Sequence, residues 1–318
     1  MSLYVSSSDL TAFWIAFAIA AVLSIPILKG LAMLKAKQTV SQFAPEGHQV
    51  KQGTPTMGGF IILAGFFGAL PFIEDSPGKW PVALLVGLFA LIGFVDDFVV
   101  PKMFPGKRGL GWKQKILMQF VAAGIPLAIG GLTDPVTLGI GVIIVLFFAN
   151  AYNFSDGLDG LAGTLLLGLL LGVFVMGLAG SPLHLPNNLV FVWLGALLPF
   201  LYWNAPKAKI FMGDVGSLAI GAYLGYVVTE HLSTNTMTEH TVPIAAIVVW
   251  SLMMVAELVP VPLQIASVKI RKKKLFPYTP IHHAFEKAGW PETRVVFVFA
   301  IVQLLCSLAA ITIIIMSK

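Results

Sequence analysis

Charged residues and cysteine are both scarce in this sequence. Only 11% of the 318 residues are Asp, Glu, Lys or Arg, whereas 57% are hydrophobic, and the mean hydropathy is +0.88. A soluble domain carries roughly twice this charged fraction, so most of the chain is predicted to lie in lipid. The single cysteine, Cys306, excludes an intrachain disulfide and is interpreted as a small buried apolar side chain.

The sequence also lacks a recognisable leader, an internal repeat and a low-complexity linker. Its first ten residues have no basic segment and no small-residue cleavage site, which favours a retained first helix. We therefore expect one polytopic membrane domain over residues 1–318. The net charge of +5 would be compatible with nucleic acid, but in a membrane protein it more often reflects basic cytoplasmic loops, so we predict no nucleic-acid partner.

Long apolar runs make up most of what is present. A spanning helix needs about 20 mostly apolar residues, and ten stretches qualify: 11–34, 57–75, 80–100, 114–131, 136–152, 160–180, 188–204, 215–231, 242–268 and 294–316. The sequence thus predicts an all-α integral membrane protein with ten transmembrane helices. Pro260 and Pro262 are expected to kink or shorten the ninth, because each removes a backbone donor.

Basic residues fall almost entirely on one side of this topology. All Lys and Arg residues except Lys79 and Lys318 lie in or beside loops 35–56, 101–113, 153–159, 205–214 and 269–293. The positive-inside rule makes this side cytoplasmic. Both termini are then predicted on the extracytoplasmic side.

Seven acidic and imidazole side chains fall on the same predicted face. They come from four separate loops or helix ends: Asp96, Asp97, Asp156, Asp159, Asp214, His282 and His283. Carboxylates at membrane depth are costly and mark functional sites by default. The topology therefore predicts an active site at the cytoplasmic face.

The adjacent carboxylates of "VDDF" still belong to an apolar run. A solvated helix end would explain one of them, whereas the pair Asp96 and Asp97 favours Mg²⁺ or phosphate chemistry, or a proton relay. The segment "NAYNFSDGLDGLAG" places Asn150, Asn153 and the Asp156 and Asp159 carboxylates at steps of three. Such a set suits a polar substrate and a hard cation, although an Asx-rich turn with a helix cap is the simpler alternative.

Asp214 stands at the predicted start of a helix in "KIFMGDVGSL". An N-cap would explain it, but a helix N-terminus also favours phosphate, and a carboxylate there could hold Mg²⁺ that bridges phosphate oxygens. Weaker signals are the polar, glycine-rich "KQGTPTMGGF", which lacks P-loop spacing, and the loop "RKKKLFPYTPIHHAFEKAGWPETR". Its basic run is interpreted as a headgroup anchor, and its two histidines as hydrogen-bonding or acid groups.

Together the motifs resemble the phospho-N-acetylmuramoyl-pentapeptide transferase family, within the polyprenyl-phosphate N-acetylhexosamine-1-phosphate transferases. The resemblance runs from about residue 40 to the C-terminus and rests on "GTPTMGG", "GFVDDF", "NAYNFSDGLDGLAG", "FMGDVGSL" and "PIHHAFEKAGWPE". It implies transfer of phospho-sugar from UDP-N-acetylmuramoyl-pentapeptide to undecaprenyl phosphate, with lipid I and UMP as products and Mg²⁺ as cofactor. It also suggests a homodimer in the bacterial inner (cytoplasmic) membrane.

The resemblance further implies roles for individual positions. Asp96 and Asp97 resemble the catalytic pair, with Asp97 nearer the attacking lipid phosphate; His282 matches a catalytically important histidine, and Asp214 resembles the Mg²⁺ ligand. The positions that match the nucleotide and pyrophosphate pocket are Asn150, Asn153, Asp156 and Asp159. Phe211 matches the ring that stacks on uracil, and Lys115 a basic residue near the phosphates. Positions on the nucleoside side are Lys51, Thr56, Asn204, Gln264 and His283.

Two positions depart from the family pattern. Ala284 stands where a third consecutive histidine is usual, and Val100 where a lysine is usual, with Lys102 two residues further on as a substitute. A related enzyme that transfers N-acetylglucosamine-1-phosphate is therefore the main alternative. An ion-coupled secondary transporter is a remote one, because transporters place such carboxylates near the midplane, often within inverted repeats.

Overall fold

The computed structural model describes residues 5–34, 53–178, 188–234 and 242–317, and these residues form helices without a β-strand. The α-helices of the first half are α1 (Ser7–Met33), α2 (Gly59–Ala69), α3 (Lys79–Phe94), α4 (Val100–Met103), α5 (Trp112–Ile129), α6 (Pro135–Phe154) and α7 (Leu161–Leu178). Those of the second half are α8 (Asn188–Asn204), α9 (Gly213–Thr234), α10 (Ile244–Trp250), α11 (Leu252–Leu258), α12 (Pro260–Arg271), α13 (Ile281–Lys287) and α14 (Glu292–Met316). The predicted all-α class is confirmed for the described residues.

Five helical segments are long and apolar enough to cross a membrane: Ser7–Met33, Lys79–Met103, Pro135–Phe154, Leu252–Arg271 and Glu292–Met316. Shorter apolar helices are Gly59–Phe72, Leu161–Gly177 and Asn188–Asn204. The protein is therefore a multi-pass membrane protein. Each of the ten predicted stretches overlaps at least one helix, but the full count of ten spans and the sidedness of the termini stay predictions.

The ninth predicted stretch is interrupted, as its prolines indicated. The hydrogen-bonded turns of α11 end at Leu258, and α12 begins at Pro260, whose nitrogen has no proton to donate. A second interruption, at Ser251 between α10 and α11, was not predicted. The stretch therefore consists of three consecutive helices.

Helix starts follow from ordinary capping chemistry. The Ser6 hydroxyl accepts from the backbone N–H of Asp9, and the Asp9 carboxylate accepts from the backbone of Ser6, which is a capping box. Asp134 caps α6, where Pro135 occupies the first helical position. The pKa of Asp134 lies below its usual value because its carboxylate accepts hydrogen bonds from the backbone and hydroxyl of Thr137.

Helix α9 lies at the centre of the bundle, with α2, α3 and α6 packed around it. Because lipid is as apolar as the side chains, close backbone packing replaces the hydrophobic effect between membrane helices. Gly221 and Gly225 of α9 lie directly against Phe148 and Val145 of α6, and Gly93 of α3 lies against the backbone of Asp214. This last contact brings the end of α3 to the start of α9.

Helix α3 continues beyond Phe94 into a π-helical turn, Val95–Val99, which carries Asp96 and Asp97. A π-turn adds a residue to the helical repeat and often occurs at functional sites. Here it directs Asp96 toward Lys115 of α5 and Asp97 toward the backbone of Asp214 in α9, instead of toward lipid.

Candidate active site

Lys115 joins two of the predicted catalytic and metal-binding carboxylates. Its ammonium group donates to Asp96 Oδ2 at 2.9 Å and also to Asp214 Oδ2. The three side chains come from the π-turn, α5 and the start of α9, and each is less than one-fifth exposed. The structure therefore brings Lys115 together with Asp96, 19 positions before it in sequence, and with Asp214, 99 positions after it.

The N-terminus of α9 is held by two further carboxylates. Asp97 Oδ2 accepts from the backbone N–H of Asp214 at 2.7 Å, and Asp156 Oδ2 accepts from the N–H of Gly213 at 3.1 Å. Free amides and the helix dipole favour negative charge at this end. The same amides that favour phosphate in the sequence argument are thus occupied by carboxylates from the π-turn and from the loop after α6.

Asn153 completes the environment of Asp214. Its side-chain N–H groups donate to Asp214 Oδ1 and to Ser217 Oγ, both at 2.8 Å. Both carboxylate oxygens of Asp214 are consequently engaged, one by Asn153 and one by Lys115. This arrangement fixes the Asp214 rotamer from two sides.

Thr56 and Phe211 are brought to the site by pairing of two loop segments. The N–H of Phe211 donates to the carbonyl of Pro55 at 2.9 Å, and the N–H of Gly58 donates to the carbonyl of Phe211 at 2.7 Å. These two backbone hydrogen bonds hold the glycine-rich turn before α2 against the loop that leads into α9. Lys51, predicted beside this turn, lies outside the described residues.

A polar cavity of about 560 Å³ opens beside these groups. Its lining residues are Thr56, Asp97, Pro101, Gly106, Lys107, Arg108, Asn153, Asp156, Phe211, Gly213 and Asp214. Six of them were predicted as site residues from motifs in four separate segments. A cavity lined by carboxylates together with Lys107 and Arg108 has the mixed charge expected for a metal–phosphate ligand.

Two predicted substrate residues, Asn150 and Asn204, instead make internal hydrogen bonds. The Asn150 amide donates to Gln119 Oε1 and to the carbonyl of Leu146. Asn204 accepts from the N–H of Gly160 and donates to the carbonyl of Ile210. The Asn204 contacts join the loop after α6 to the loop before α9, whereas the Asn150 contacts join α6 to α5.

Gln264 and Asp159 also bind backbone groups outside the cavity lining. The Gln264 side chain accepts from Leu275 and Phe276 and donates to the Phe276 carbonyl, so it shapes the loop before α13. Asp159 accepts from the N–H of Ala208, while its own N–H donates to Glu292. Their predicted substrate contacts stay predictions.

The two histidines of α13 differ in exposure. His282 is fully buried and its Nδ1 lies 2.8 Å from Glu257 Oε2, whereas His283 is partly exposed and contacts Glu286 at 2.7 Å. Neither ring lines the cavity of about 560 Å³. Ala284, at the departure from the family pattern, lines a separate apolar cavity of about 320 Å³ with Phe276 and Phe285 among its walls.

Sequence reasoning missed Lys107, Arg108, Ser217 and Glu257. Lys107 and Arg108 lie in loop 101–113, which the charge distribution had marked as a basic loop. Basic charge alone did not distinguish a substrate-binding residue from a cytoplasmic anchor. Ser217 follows Asp214 by three residues, the spacing of one helix face. Lys102, the suggested substitute at the other departure, is exposed and lies over the Phe98 ring at 5.0 Å instead of lining the cavity.

The donor set suits Mg²⁺ by its chemistry. Within the described part of the chain, no group of three or more His, Cys, Asp or Glu side chains is arranged to hold a metal ion. Mg²⁺ does not need such a cage, because it keeps several waters and takes one or two carboxylates plus substrate phosphates. Asp97 and Asp214 line the cavity with hard oxygen ligands, so the residues present fit this ion.

Comparison with known proteins agrees with the motifs. Residues 80–231 match the family model described as glycosyl transferase family 4. A phospho-N-acetylmuramoyl-pentapeptide-transferase of Moorella thermoacetica is 35% identical over 311 residues, which cover 91% of this chain and 93% of that protein. The Clostridioides difficile protein of the same name is 36% identical, with 91% and 92% covered, and that of Staphylococcus carnosus is 35% identical, with 92% and 95% covered. Because the identity extends through almost the whole of each chain, this protein belongs to the phospho-N-acetylmuramoyl-pentapeptide transferase family.

Proposed function

We propose that this protein transfers phospho-N-acetylmuramoyl-pentapeptide from its UDP-linked donor to undecaprenyl phosphate, giving lipid I and UMP for peptidoglycan synthesis. The observation that carries the proposal is the cluster of Asp96, Asp97, Lys115 and Asp214, of which Asp97 and Asp214 line a polar cavity. Full-length similarity to enzymes named for this transfer supports the same reaction.

The polar cavity is the proposed site of the donor's diphosphate. Lys107 and Arg108 supply positive charge on its wall, and Phe211 supplies an aromatic face for the uracil ring. Thr56 and Asn153 add polar groups that orient the substrate. The nucleotide reaches this cavity from water, whereas the lipid acceptor reaches it from the bilayer, so the site is proposed to lie at the cytoplasmic surface of the inner membrane.

The proposed chemical step is a single displacement. An oxygen of the lipid phosphate attacks the sugar-bearing phosphorus of the donor, a new P–O bond forms, and the bond to the UMP oxygen breaks. The lipid phosphate is largely ionised at neutral pH, so no strong base is required. Asp97, which accepts from the backbone N–H of Asp214 at the N-terminus of α9, is proposed to orient the attacking group.

Charge crowding is the main barrier that the site must lower. Two unit charges 4 Å apart repel by about 4 kcal/mol at an effective dielectric of 20, and three phosphates bring several such pairs together. Lys115 and the cavity wall residue Lys107 offset part of this repulsion. Asp214 with Asp97 would hold Mg²⁺, which when bound neutralises phosphate oxygens.

The topology proposed for this function has ten transmembrane helices and extracytoplasmic termini. The basic loops and the cavity residues then share the cytoplasmic side, in line with the positive-inside rule. A homodimer is proposed from the family resemblance alone.

One assay tests the reaction. Purified protein is incubated with undecaprenyl phosphate and, in separate arms, with the UDP-linked muramoyl-pentapeptide or UDP-N-acetylglucosamine, with and without Mg²⁺. We expect Mg²⁺-dependent UMP release and a lipid product only with the first donor. Lipid product from UDP-N-acetylglucosamine alone would instead identify the related transferase. Trapping of a phosphorylated Asp97 with donor alone would contradict the single displacement.

A further inference from the structure

Glu257 and His282 form a fully buried carboxylate–imidazole pair outside the cavity. Glu257 lies on α11, His282 lies on α13, and Oε2 of the first is 2.8 Å from Nδ1 of the second. Both side chains have no exposed surface. Burying such a pair has a desolvation cost that apolar residues of similar volume would avoid, so its retention calls for a role besides packing.

The pair fixes which ring nitrogen of His282 carries a proton. If the Glu257 carboxylate is the acceptor of this bond, Nδ1–H is the donor, and the Nε2 lone pair of a neutral ring then lies on the opposite side. Among the described residues, this buried Nε2 has no hydrogen-bond partner. A buried polar atom left in this state lowers the stability of the fold.

His282 Nε2 points at the backbone of Gly157. A Cβ placed on Gly157 would lie 2.3 Å from Nε2, which is closer than real Cβ contacts come. Gly157 follows Asp156, which lines the cavity and holds the N-terminus of α9 through Gly213. The imidazole of His282 therefore packs against the loop that carries Asp156 and limits how far this loop can move toward α13.

We propose that Glu257 is a positioning residue: through His282 it sets the place of the Asp156 loop, and thereby the fit of the UDP-linked donor. This inference rests on the proposed function, since it assigns the loop to the donor. Glu257 itself touches no part of the cavity. Its effect is transmitted by one hydrogen bond and one van der Waals contact.

Kinetics can separate positioning from simple loss of stability. Glu257→Leu keeps the side-chain volume but removes the acceptor for Nδ1–H. We expect KM for the UDP-linked donor to rise about tenfold, with KM for undecaprenyl phosphate changed less than about twofold, since small displacements have large effects on substrate alignment. Glu257→Gln, whose amide oxygen can still accept from Nδ1–H, should restore most of the donor affinity.

Gln303→Leu is the matched control for stability. Gln303 is equally buried, on α14, and donates to the carbonyl of Trp250 and to Ser307, away from the cavity. We expect it to lower thermal stability without a selective change in donor KM. Equal effects of Glu257→Leu and Gln303→Leu on the two KM values would overturn the proposal.

A second readout does not depend on activity. In ¹⁵N spectra of histidine-labelled protein, the His282 signals are assigned by their loss in His282→Gln. We expect a protonated Nδ1 and an unprotonated Nε2 in the unsubstituted protein, and loss of this preference in Glu257→Leu but not in Gln303→Leu. An Nε2–H form in the unsubstituted protein would refute the positioning role even if the transferase assay succeeds. If the protein shows protonated Nδ1 and unprotonated Nε2 but has no transferase activity, the Glu257–His282 hydrogen bond is confirmed and the proposed function is rejected.

Discussion

Asp97 of the π-turn accepts a 2.7 Å hydrogen bond from the backbone N–H of Asp214, so two acidic residues 117 positions apart meet at one helix N-terminus. The contact is possible because Gly93 lets α3 approach the backbone of Asp214 closely. The Asp97 carboxylate thus lies at the positive end of the α9 helix dipole, while the Asp214 carboxylate lies beside Lys115.

Asp214→Asn should abolish the transfer reaction. The amide keeps the size of the side chain and its contact with Asn153 but removes the negative charge that Mg²⁺ requires. We expect turnover to fall at least about a thousandfold and half-saturation by Mg²⁺ to need at least about tenfold more ion. The measurement is a Mg²⁺ titration of UMP release.

The control for Asp214→Asn is Asp134→Asn, which retains an N-capping side chain at the start of α6. Turnover close to that of the unsubstituted protein in Asp214→Asn would remove this carboxylate from the metal site.

Lys115→Met should have opposite effects on turnover and on Mg²⁺ affinity. The ammonium group offsets phosphate charge during transfer, so we expect turnover to fall about a hundredfold. The same group occupies Asp214 Oδ2, so its removal should tighten Mg²⁺ binding in the absence of substrate. Calorimetry and steady-state kinetics give the two values.

Lys113→Met is the matched control, because Lys113 lies on the same helix, is exposed, and contacts the Trp112 ring instead of a carboxylate. Weaker Mg²⁺ binding in Lys115→Met would show that the lysine does not compete with the ion.

Asn150→Ala should act mainly on stability. Both N–H bonds of its amide already go to Gln119 and to the Leu146 carbonyl. Loss of a buried partner costs about 1–3 kcal/mol, and the double variant with Gln119→Ala should cost little more than either change alone. Thermal unfolding of the four proteins measures this coupling. A donor KM that rises only with the Asn150 change would instead support the substrate contact implied by the family.

The sidedness of the membrane topology can be tested by labelling. In a Cys306→Ser background, single cysteines replace Thr133, beside Asp134, or Lys274 in the basic loop. We expect a membrane-impermeant maleimide to label the first in intact cells and the second only after permeabilisation, because basic loops stay in the cytoplasm. Labelling of the Lys274 position in intact cells would reverse the proposed orientation.

Several features of this protein were readable before any tertiary structure. The composition predicted a membrane protein, and long apolar runs predicted helices that the structure contains, because a helix that crosses a bilayer must be both long and apolar. The prolines of the ninth stretch predicted the break at Pro260 for an equally local reason. The motifs also identified Thr56, Asp97, Asn153, Asp156, Phe211 and Asp214, which line one cavity.

Tertiary structure alone decided which of these polar residues meet, and through which atoms. No local pattern indicates that Lys115 joins Asp96 to Asp214, that Asn150 is engaged by Gln119, or that Glu257 lies behind His282. These pairings depend on how α3 and α6 pack against α9, how α5 packs against α3 and α6, and how α11 packs against α13. Sequence fixes the chemistry of each side chain and its place along a helix, whereas distances between helices depend on close packing of many small residues at once.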